Sequence, residues 1–288
     1  MAKLKKKKSA SEILRVVVAV LITLIMVFPL YWMCITALKT ESEVIVIVPK
    51  FWPEHFHWQN FVDAWHAQNF PRLLLNTVYV TAIMMICDLV VSVLAGYGFA
   101  RGNFPLKNTL FLLVLSAMMI PTQVVFIPVY VMIARLGWVN TFAGMALPGI
   151  VSAHRIFMLR NNFMSVDQSY LDAGRVDGLG VIGTIRHVLM PMCRASVITT
   201  SLTAFINGWN NYFWPKILAK DDAHRLISVG IQRLKAQFDS MTGGLSVNGS
   251  GFYNTVMAGV IISIVPVVIV FAFCQKYILK GFAKNAMK

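Results

Sequence analysis

The sequence predicts an all-α, polytopic membrane protein with six transmembrane helices and both termini in the cytoplasm. Hydrophobic residues make up 57% of the 288 residues and charged residues only 13%, which is typical of membrane proteins and unlike soluble domains. Residues 16–38, 108–134, 136–154 and 195–215 contain no Asp, Glu, Lys or Arg. Each stretch is close to or longer than the roughly 20 residues that a spanning helix needs.

Two further apolar stretches complete the set of six. Residues 73–100 are interrupted only by Asp88, and the later part of 240–275 is uncharged. We therefore expect a basic N-terminus at 1–12, a first span at 13–38, an external segment at 39–72, a five-helix core at 73–280 and a tail at 281–288.

The basic residues flank the spans instead of forming a patch that would bind nucleic acid, although the net charge is +14. A run of lysines at residues 3–8 precedes the first span, and cytoplasmic segments of membrane proteins are rich in Lys and Arg. This places the N-terminus inside, and six spans return the C-terminus to the same side. The first apolar run is too long for a signal peptide, so we expect it to remain uncleaved.

Individual spans carry features that bear on function. Tryptophans and phenylalanines in 39–72 favour an aromatic belt at the membrane surface. Pro121 and Pro128 interrupt hydrogen bonding in the third span, which suits either pore lining or a packing kink. Asp88 is the acid placed deepest in a span, with no basic partner evident in the predicted spans. Asp88 either marks an ion path, or forms a hydrogen bond to a neighbouring helix, or lies nearer the aqueous side than the hydropathy of the span suggests.

A cytoplasmic stretch at 167–191 is polar, charged and helix-patterned. Leu171 and Val176 are predicted to form a narrow apolar stripe on a short helix, and Gly178 is expected to end it. The charged residues on its other side are Asp172, Arg175 and Asp177. The stretch closes at Leu189-Met190-Pro191, where the chain re-enters the membrane.

This stretch resembles the EAA loop of the permeases of ABC importers, which couples them to an ATP-hydrolysing subunit. Asp172 stands for the Glu of that pattern, Ala173 and Gly174 for its two alanines, and Asp177-Gly178 for its Asp-Gly. The resemblance implies that coupling to the ATPase involves Asp172, Ala173, Gly174, Arg175, Asp177, Gly178 and Pro191. It also implies the type I importer permease fold.

The end of the fifth span combines amides and aromatic rings, which is unusual because an amide in hydrocarbon needs a partner. Rings can stack on the apolar face of a sugar, and amides can pair with its hydroxyls. The stretch is similar to the Trp-Asn-Asp/Asn-aromatic-x-x-Pro signature of carbohydrate-uptake permeases. The expected substrate pathway comprises Asn207, Trp209, Asn210, Asn211, Tyr212 and Trp214. The alternative for any one of these is an aromatic belt with amide hydrogen bonds between helices.

The external loop at 216–253 contains a glycine-rich run. In the family that the sequence resembles, such a loop can reach the external binding protein, whereas a connector without contacts is the competing interpretation. The expected contact residues are Gly243, Gly244, Leu245, Ser246 and Asn248.

Several classes of protein are excluded. The four cysteines lie apart without metal-ligand spacing, and no nucleophile elbow or zinc-protease motif occurs. The Gly178-x-Gly180-x-x-Gly183 run follows no strand, so it is not a dinucleotide site. From these absences we expect no catalytic or metal-binding residues in this chain. No Walker A motif occurs either, so we expect no bound ATP or other cofactor here. ATP and Mg²⁺ would belong to a partner ATPase.

The resemblance implies a subunit of the prokaryotic cytoplasmic membrane that assembles with a second homologous permease, two ATP-binding subunits and an external binding protein or lipoprotein. The expected cargo is a mono- or oligosaccharide, and glycerol-3-phosphate is the alternative. The rival function is an ion-coupled secondary transporter that uses Asp88. The importer hypothesis predicts that Gly178→Pro or Asp172→Lys abolishes transport while Asp88→Asn is mild, and the rival predicts the reverse.

Overall fold

The computed structural model describes residues 10–44, 46, 48–241 and 253–286. Within those ranges the chain is helical and contains no strand. Two compact units can be distinguished: the first comprises Met1–Asn69 and Ile231–Ser263, and the second comprises Phe70–Gly230 and Ile264–Lys288. The helices, in chain order, are α1 (Ala10–Ala37), α2 (Glu41–Val44), α3 (Gln59–Ala67), α4 (Phe70–Arg101), α5 (Lys107–Ala117), α6 (Thr122–Arg135), α7 (Phe142–Ala146), α8 (Ala153–Met164), α9 (Gln168–Val176), α10 (Val181–Thr184), α11 (Met190–Met192), α12 (Arg194–Trp209), α13 (Phe213–Leu218), α14 (Ile227–Met241) and α15 (Tyr253–Ala286).

Six apolar segments of the described chain correspond to the six predicted spans. Helices α1, α4 and α15 are each long and apolar enough to cross a membrane without interruption. Two further candidate spans are bent, one by 51° between Phe142–Gly149 and Ala153–Met164 and one by 92° between Val181–Met192 and Arg194–Leu218. The shorter apolar helices α5 and α6 occupy the third predicted span, which breaks just before Pro121.

The fourth span differs from its predicted range of 136–154. Its inner half is α8, which continues to Met164 through Arg155 and Arg160. The span was predicted from the absence of charged residues, so its predicted range ended before Arg155. The helix continues because Arg155 is buried and forms an ion pair with Asp88.

Two other predicted segments contain helix. Residues 216–253 were expected to be an external loop, but α14 occupies Ile227–Met241. Its alternation of apolar and polar residues at helical spacing was the available signal. The tail predicted at 281–288 is helical as far as Ala286, because α15 extends past the apolar window that ends at Lys276.

In the second unit α4 packs against α8 and α12. The crossing with α8 is close, because a Cβ added at Gly96 would lie 3.2 Å from the backbone nitrogen of Arg160. Two apolar clusters form along α4. The Trp214 cluster contains Val80, Met84, Ile133, Met145, Ala146, Trp214, Leu218, Ala219 and Leu226. The Leu171 cluster contains Val93, Leu159, Phe163, Val166, Leu171, Ile185, Leu189, Cys193 and Val197.

In the first unit a buried amide ties three helices together. The Asn60 side-chain nitrogen of α3 donates to the carbonyls of Ala37 and Lys39, at 2.9 and 2.8 Å, just where α1 ends. At the start of α15, the Asn254 side chain donates to the carbonyl of Lys39 at 3.1 Å and to the Asn60 side-chain oxygen at 3.2 Å. The apolar side chains of α1 from Ile13 to Leu30 are exposed, as expected for a surface that faces lipid or another subunit.

Candidate functional site

The short helix α9 lies in the predicted cytoplasmic stretch and begins with a side-chain cap. Asp167 has extended backbone angles, and its Oδ1 accepts hydrogen bonds from the backbone N–H of Ser169 at 2.8 Å and from the hydroxyl of Ser169 at 2.7 Å. A carboxylate at this position accepts a hydrogen bond from a free N–H group of the first turn, and its negative charge interacts favourably with the positive end of the helix dipole. These bonds lower the pKa of Asp167 below its ordinary value, so the cap stays ionised at neutral pH.

The other end of α9 stops at a glycine in the left-handed conformation. The N–H of Gly178 donates to the carbonyl of Arg175 at 3.0 Å, and the N–H of Leu179 donates to the carbonyl of Gly174 at 2.9 Å. This pair of bonds defines a Schellman motif. Gly178 has φ +78°, where a side chain would be strained. The predicted helix end at Gly178 thus has a specific geometric cause.

One face of α9 is buried in the Leu171 cluster. Leu171 is 4% exposed, and Gly174 is also buried, because a Cβ there would lie 3.3 Å from Leu179 Cδ1 and 3.4 Å from Val188 Cγ2. Val176 was expected to share this face, but it is 88% exposed. The expectation was wrong because residues five apart in a helix lie well away from the same stripe.

The opposite face presents polar groups. Asp172 Oδ1 accepts from the side chains of Gln168 at 3.0 Å and Arg175 at 2.9 Å. Ala173 and Asp177 are exposed beside them. Because such a solvated ion pair contributes little to stability, its charges remain available to a partner surface.

Arg101, at the end of α4, holds the connection between α8 and α9. Its guanidinium donates to the carbonyl of Phe163 at 3.2 and 2.8 Å, to that of Met164 at 3.4 Å, and to that of Val166. It also donates to Gln168 Oε1 at 3.0 Å. One planar cation thus satisfies the free carbonyls at the end of α8 and the first residue of α9. The sequence analysis did not assign this role to Arg101.

Pro191 lies where the chain turns from the surface into the fifth span. A π-helical turn at Ile185–Leu189 precedes it, and both end residues of that turn are buried in the Leu171 cluster. Pro191 has no N–H, so it cannot complete an α-helical bond to the carbonyl of residue 187. Pro191 itself is exposed, at the 92° bend into α12.

The predicted pathway residues divide into two groups. Trp209 and Trp214 are 4% and 7% exposed: Trp209 stacks on Phe205 at 5.7 Å, and Trp214 packs on Phe126 at 5.4 Å. Both rings are therefore buried in the core of this subunit.

The amides are more accessible. Asn207 and Asn210 are exposed, whereas Asn211 and Tyr212 are partly buried. The side-chain amide nitrogen of Asn211 lies 3.8 Å from Met84 Sδ. The backbone carbonyl of Asn211 accepts a hydrogen bond from the Ser228 hydroxyl at 2.8 Å.

A polar stripe follows one side of α12. Thr199 and Thr203 precede Asn207 and Asn210 at spacings of four, four and three, which places all four on one helical face. The two hydroxyls donate to backbone carbonyls of their own helix at 2.9 Å, so their lone pairs remain available as acceptors. The sequence analysis named only the two asparagines, although the spacing of four was the signal for the threonines.

The residues expected to contact a binding protein, Gly243 to Asn248, lie outside the described residues. Within the described ranges, no group of three or more His, Cys, Asp or Glu side chains is placed to hold a metal ion.

Comparison with known families decides the class. The model of the family described as "Binding-protein-dependent transport system inner membrane component" matches residues 88–284, which include α9 and the polar stripe. The chain belongs to this family. It is therefore a multi-pass inner-membrane permease subunit of an ABC importer and not an enzyme, and it functions in a complex with ATPase and binding-protein partners.

Curated relatives and a solved structure match this chain over almost its whole length. The sn-glycerol-3-phosphate transport system permease protein UgpE of Yersinia pestis bv. Antiqua (strain Antiqua) is 28% identical over 269 residues, covering 91% of this chain and 92% of that protein. UgpE of Rhizobium meliloti (strain 1021) is 26% identical, covering 97% and 99%.

One solved structure shares the fold. It is a crystal structure of a bacterial ABC transporter involved in the import of the acidic polysaccharide alginate. Its matched chain superimposes with a TM-score of 0.81 at 21% identity, covering 95% of this chain and 99% of that one. The predicted type I permease fold is thus confirmed.

The permease fold also explains Asp88. Asp88 is 0% exposed and forms an ion pair with Arg155, which is 8% exposed, while the Ser92 hydroxyl lies 3.5 Å from Asp88 Oδ1. The expectation that Asp88 lacks a basic partner was wrong, because Arg155 fell just outside the predicted span. A paired acid that joins α4 to α8 replaces the hypothesis of a coupling acid in a secondary transporter.

The sequence analysis expected Asp88→Asn to be mild in an importer, but the buried pair changes this: we expect Asp88→Asn to reduce the amount of folded subunit and not to impair transport selectively. It leaves the Arg155 charge buried without its partner, which costs roughly 3–5 kcal/mol. Arg155→Met should be similarly harmful, and the Asp88→Asn/Arg155→Met double variant should recover most of the loss. Thermal unfolding of the purified complex measures this cycle. If the two single effects simply add in the double variant, the pair has no structural role.

Proposed function

We propose that this permease is one of two homologous membrane subunits that enclose a path for a polyhydroxylated solute. Two ATP-binding subunits drive the path, and an external binding protein or lipoprotein delivers the solute. The proposal places α9 and both termini in the cytoplasm, in accord with the lysine-rich N-terminus. ATP and Mg²⁺ are bound by the ATPase subunits.

The exposed surface around α9 is the observation that carries the proposal. Val176 is 88% exposed, Ile182 65%, and Tyr170 and Val181 each 55%. Apolar side chains beside the Asp172–Arg175 pair match the mixed character of a protein interface. A separate ATPase subunit is the partner that this surface fits.

The arrangement supports a lever mechanism. Leu171 fixes α9 to the Leu171 cluster, which also contains residues of α4, α8 and α12. Arg101 fixes the start of α9 to the ends of α4 and α8. A displacement of α9 by the ATPase would therefore move these spans together, as in other rigid-body switches.

The polar stripe on α12 supports a hydroxyl-rich substrate. Its four members offer two hydroxyls and two amides, which are the groups that bind sugar hydroxyls. We propose that Asn207 and Asn210 face the pathway and that 243–248 meets the binding protein. A sugar is favoured by the uncharged stripe, whereas sn-glycerol-3-phosphate is favoured by the named relatives.

The deciding experiment is uptake into proteoliposomes that contain the complete complex, with the cognate binding protein outside and ATP inside. Radiolabelled oligosaccharides and sn-glycerol-3-phosphate are compared at equal concentrations. ATP-dependent uptake of either supports the importer and names its cargo class. Uptake that continues without ATP and follows an ion gradient would contradict the proposal.

We predict that Asp172→Lys abolishes ATP-driven uptake while membrane insertion stays normal. The change reverses the charge of the group that accepts from Gln168 and Arg175, and like charges would then lie three residues apart on an exposed face. Co-purification of the ATPase reports the same interface. Lys107, which donates to the carbonyl of Gly102 at 2.8 Å, offers the control variant Lys107→Arg. Normal ATPase binding and uptake in Asp172→Lys would remove α9 from the coupling interface.

A further inference from the structure

The first unit contains a cavity where α1 ends. Its volume is about 300 Å³, and its lining includes Trp32, Lys39, Glu43, Pro49, Tyr253 and Met257. This size lies at the lower end of small-molecule pockets. The lining is mostly apolar but contains one side chain of each charge, and neither belongs to the coupling surface or to the polar stripe.

Lys39 supplies the positive charge. It is only 2% exposed, its ammonium donates to the carbonyl of Lys50, and it lies 4.6 Å from the centre of the Trp32 ring. Burial lowers the pKa of Lys39, although Glu43 opposes the shift. An ammonium has three N–H donors. The carbonyl and the ring engage two of them within the described chain, so one donor remains for a ligand.

Glu43 supplies the negative charge and is 7% exposed. Its Oε2 accepts from the N–H and the hydroxyl of Thr40 at 2.9 and 3.0 Å, and its Oε1 accepts from the N–H of Glu54 at 2.6 Å. Burial raises the pKa of Glu43, but these hydrogen bonds together lower it by more. The net shift of the pKa is downward, so the carboxylate is ionised. A carboxylate has about four acceptor positions. The described contacts occupy three, which leaves one for a ligand.

The surroundings place this charged pair at a membrane boundary. On one side of it, α1 exposes apolar side chains such as Phe28 and Leu30, which are 49% and 54% exposed. Next to the Lys50 carbonyl that Lys39 contacts, Phe51 and Trp52 are 63% and 61% exposed, as is typical of side chains at the headgroup level. A ligand of this cavity can therefore combine a doubly charged head with a long apolar part.

We propose that the cavity binds the headgroup of a zwitterionic glycerophospholipid, with its phosphate against Lys39 and its ammonium against Glu43. Its acyl chains lie along the exposed side of α1. Both charges of a phosphoethanolamine headgroup find a buried opposite charge here. An anionic phospholipid with a glycerol headgroup would bring its phosphate close to the Glu43 carboxylate without a positive charge of its own to offset the repulsion.

Native mass spectrometry of the detergent-purified complete importer tests the proposal, with phosphatidylethanolamine and phosphatidylglycerol added in turn. We expect a retained phosphatidylethanolamine that binds at least tenfold more tightly than phosphatidylglycerol. Lys39→Met and Glu43→Gln should each remove this preference. Lys220→Met is the matched control, because the Lys220 side chain is exposed and lies outside the first unit. Equal binding of the two lipids by the wild type would overturn the proposal.

A second measurement does not depend on the folding of any variant. Phosphatidylethanolamine with a photoreactive headgroup is added to the wild-type importer, and the cross-linked peptides are mapped. We expect labelling near residues 32–43 and 253–257 that excess unlabelled phosphatidylethanolamine removes. Competition by soluble phosphoethanolamine at the same concentration would instead identify the ligand as a free headgroup. Labelling spread evenly over the apolar helices would show ordinary annular lipid and refute the site.

Discussion

Gly178→Pro should reduce ATP-driven uptake by at least about thirtyfold while the subunit still inserts and assembles. Proline fixes φ near −65° and has no N–H, whereas Gly178 has φ +78° and donates to the carbonyl of Arg175. The helix end of α9 cannot form with proline there. The chain that leads to the exposed Val181 and Ile182 must then leave α9 in another direction. Uptake and the ATPase rate of the reconstituted complex measure the effect.

The size of the effect should follow the cost of the left-handed conformation. Gly178→Ala costs roughly 1–2 kcal/mol, which corresponds to about a 5- to 30-fold change in population. Gly178→Asn should be milder, because asparagine tolerates this conformation. Gly180→Ala is the matched control, since Gly180 has φ −72° and a Cβ there meets nothing within 4 Å. Equal activity of the proline and asparagine variants would show that the left-handed helix end has no part in coupling.

The sequence predicted those parts of the permease in which local chemistry decides the structure. The helix end at Gly178 follows from one residue type, and the break before Pro121 from another. The apolar spans follow from hydropathy alone, because lipid cannot satisfy backbone groups outside a helix. These features need no knowledge of which helices are neighbours.

Most of the missed features depend on which helices are neighbours. Arg155 and Asp88 are 67 residues apart in sequence, and only the packing of α4 on α8 makes them partners. The same applies to the burial of Trp209 and Trp214, whose side chains are 4% and 7% exposed. Val176 failed for a different reason: it lies five residues from Leu171, and residues five apart in a helix do not share one stripe.

Arg101 offers the second large effect, and it tests whether α9 moves with the spans. Arg101→Met removes the donor that joins the end of α4 to the carbonyls of Phe163 and Val166 and to Gln168. Hydrogen bonds from a charged donor contribute roughly 1.5–3 kcal/mol each. We expect at least about a tenfold loss of uptake per ATP hydrolysed, together with faster hydrogen exchange at 163–170.

Arg101→Lys separates charge from geometry. Lysine keeps the positive charge but lacks the planar fork that reaches several carbonyls together, so it should restore only part of the coupling. Arg194→Met is the control, because Arg194 is exposed at the start of α12, next to the same cytoplasmic stretch. If Arg101→Lys behaves as the wild type, a positive charge at the end of α4 is sufficient. If Arg101→Met and Arg194→Met lose coupling equally, general surface charge is responsible, and α9 is held by the packing of Leu171 alone.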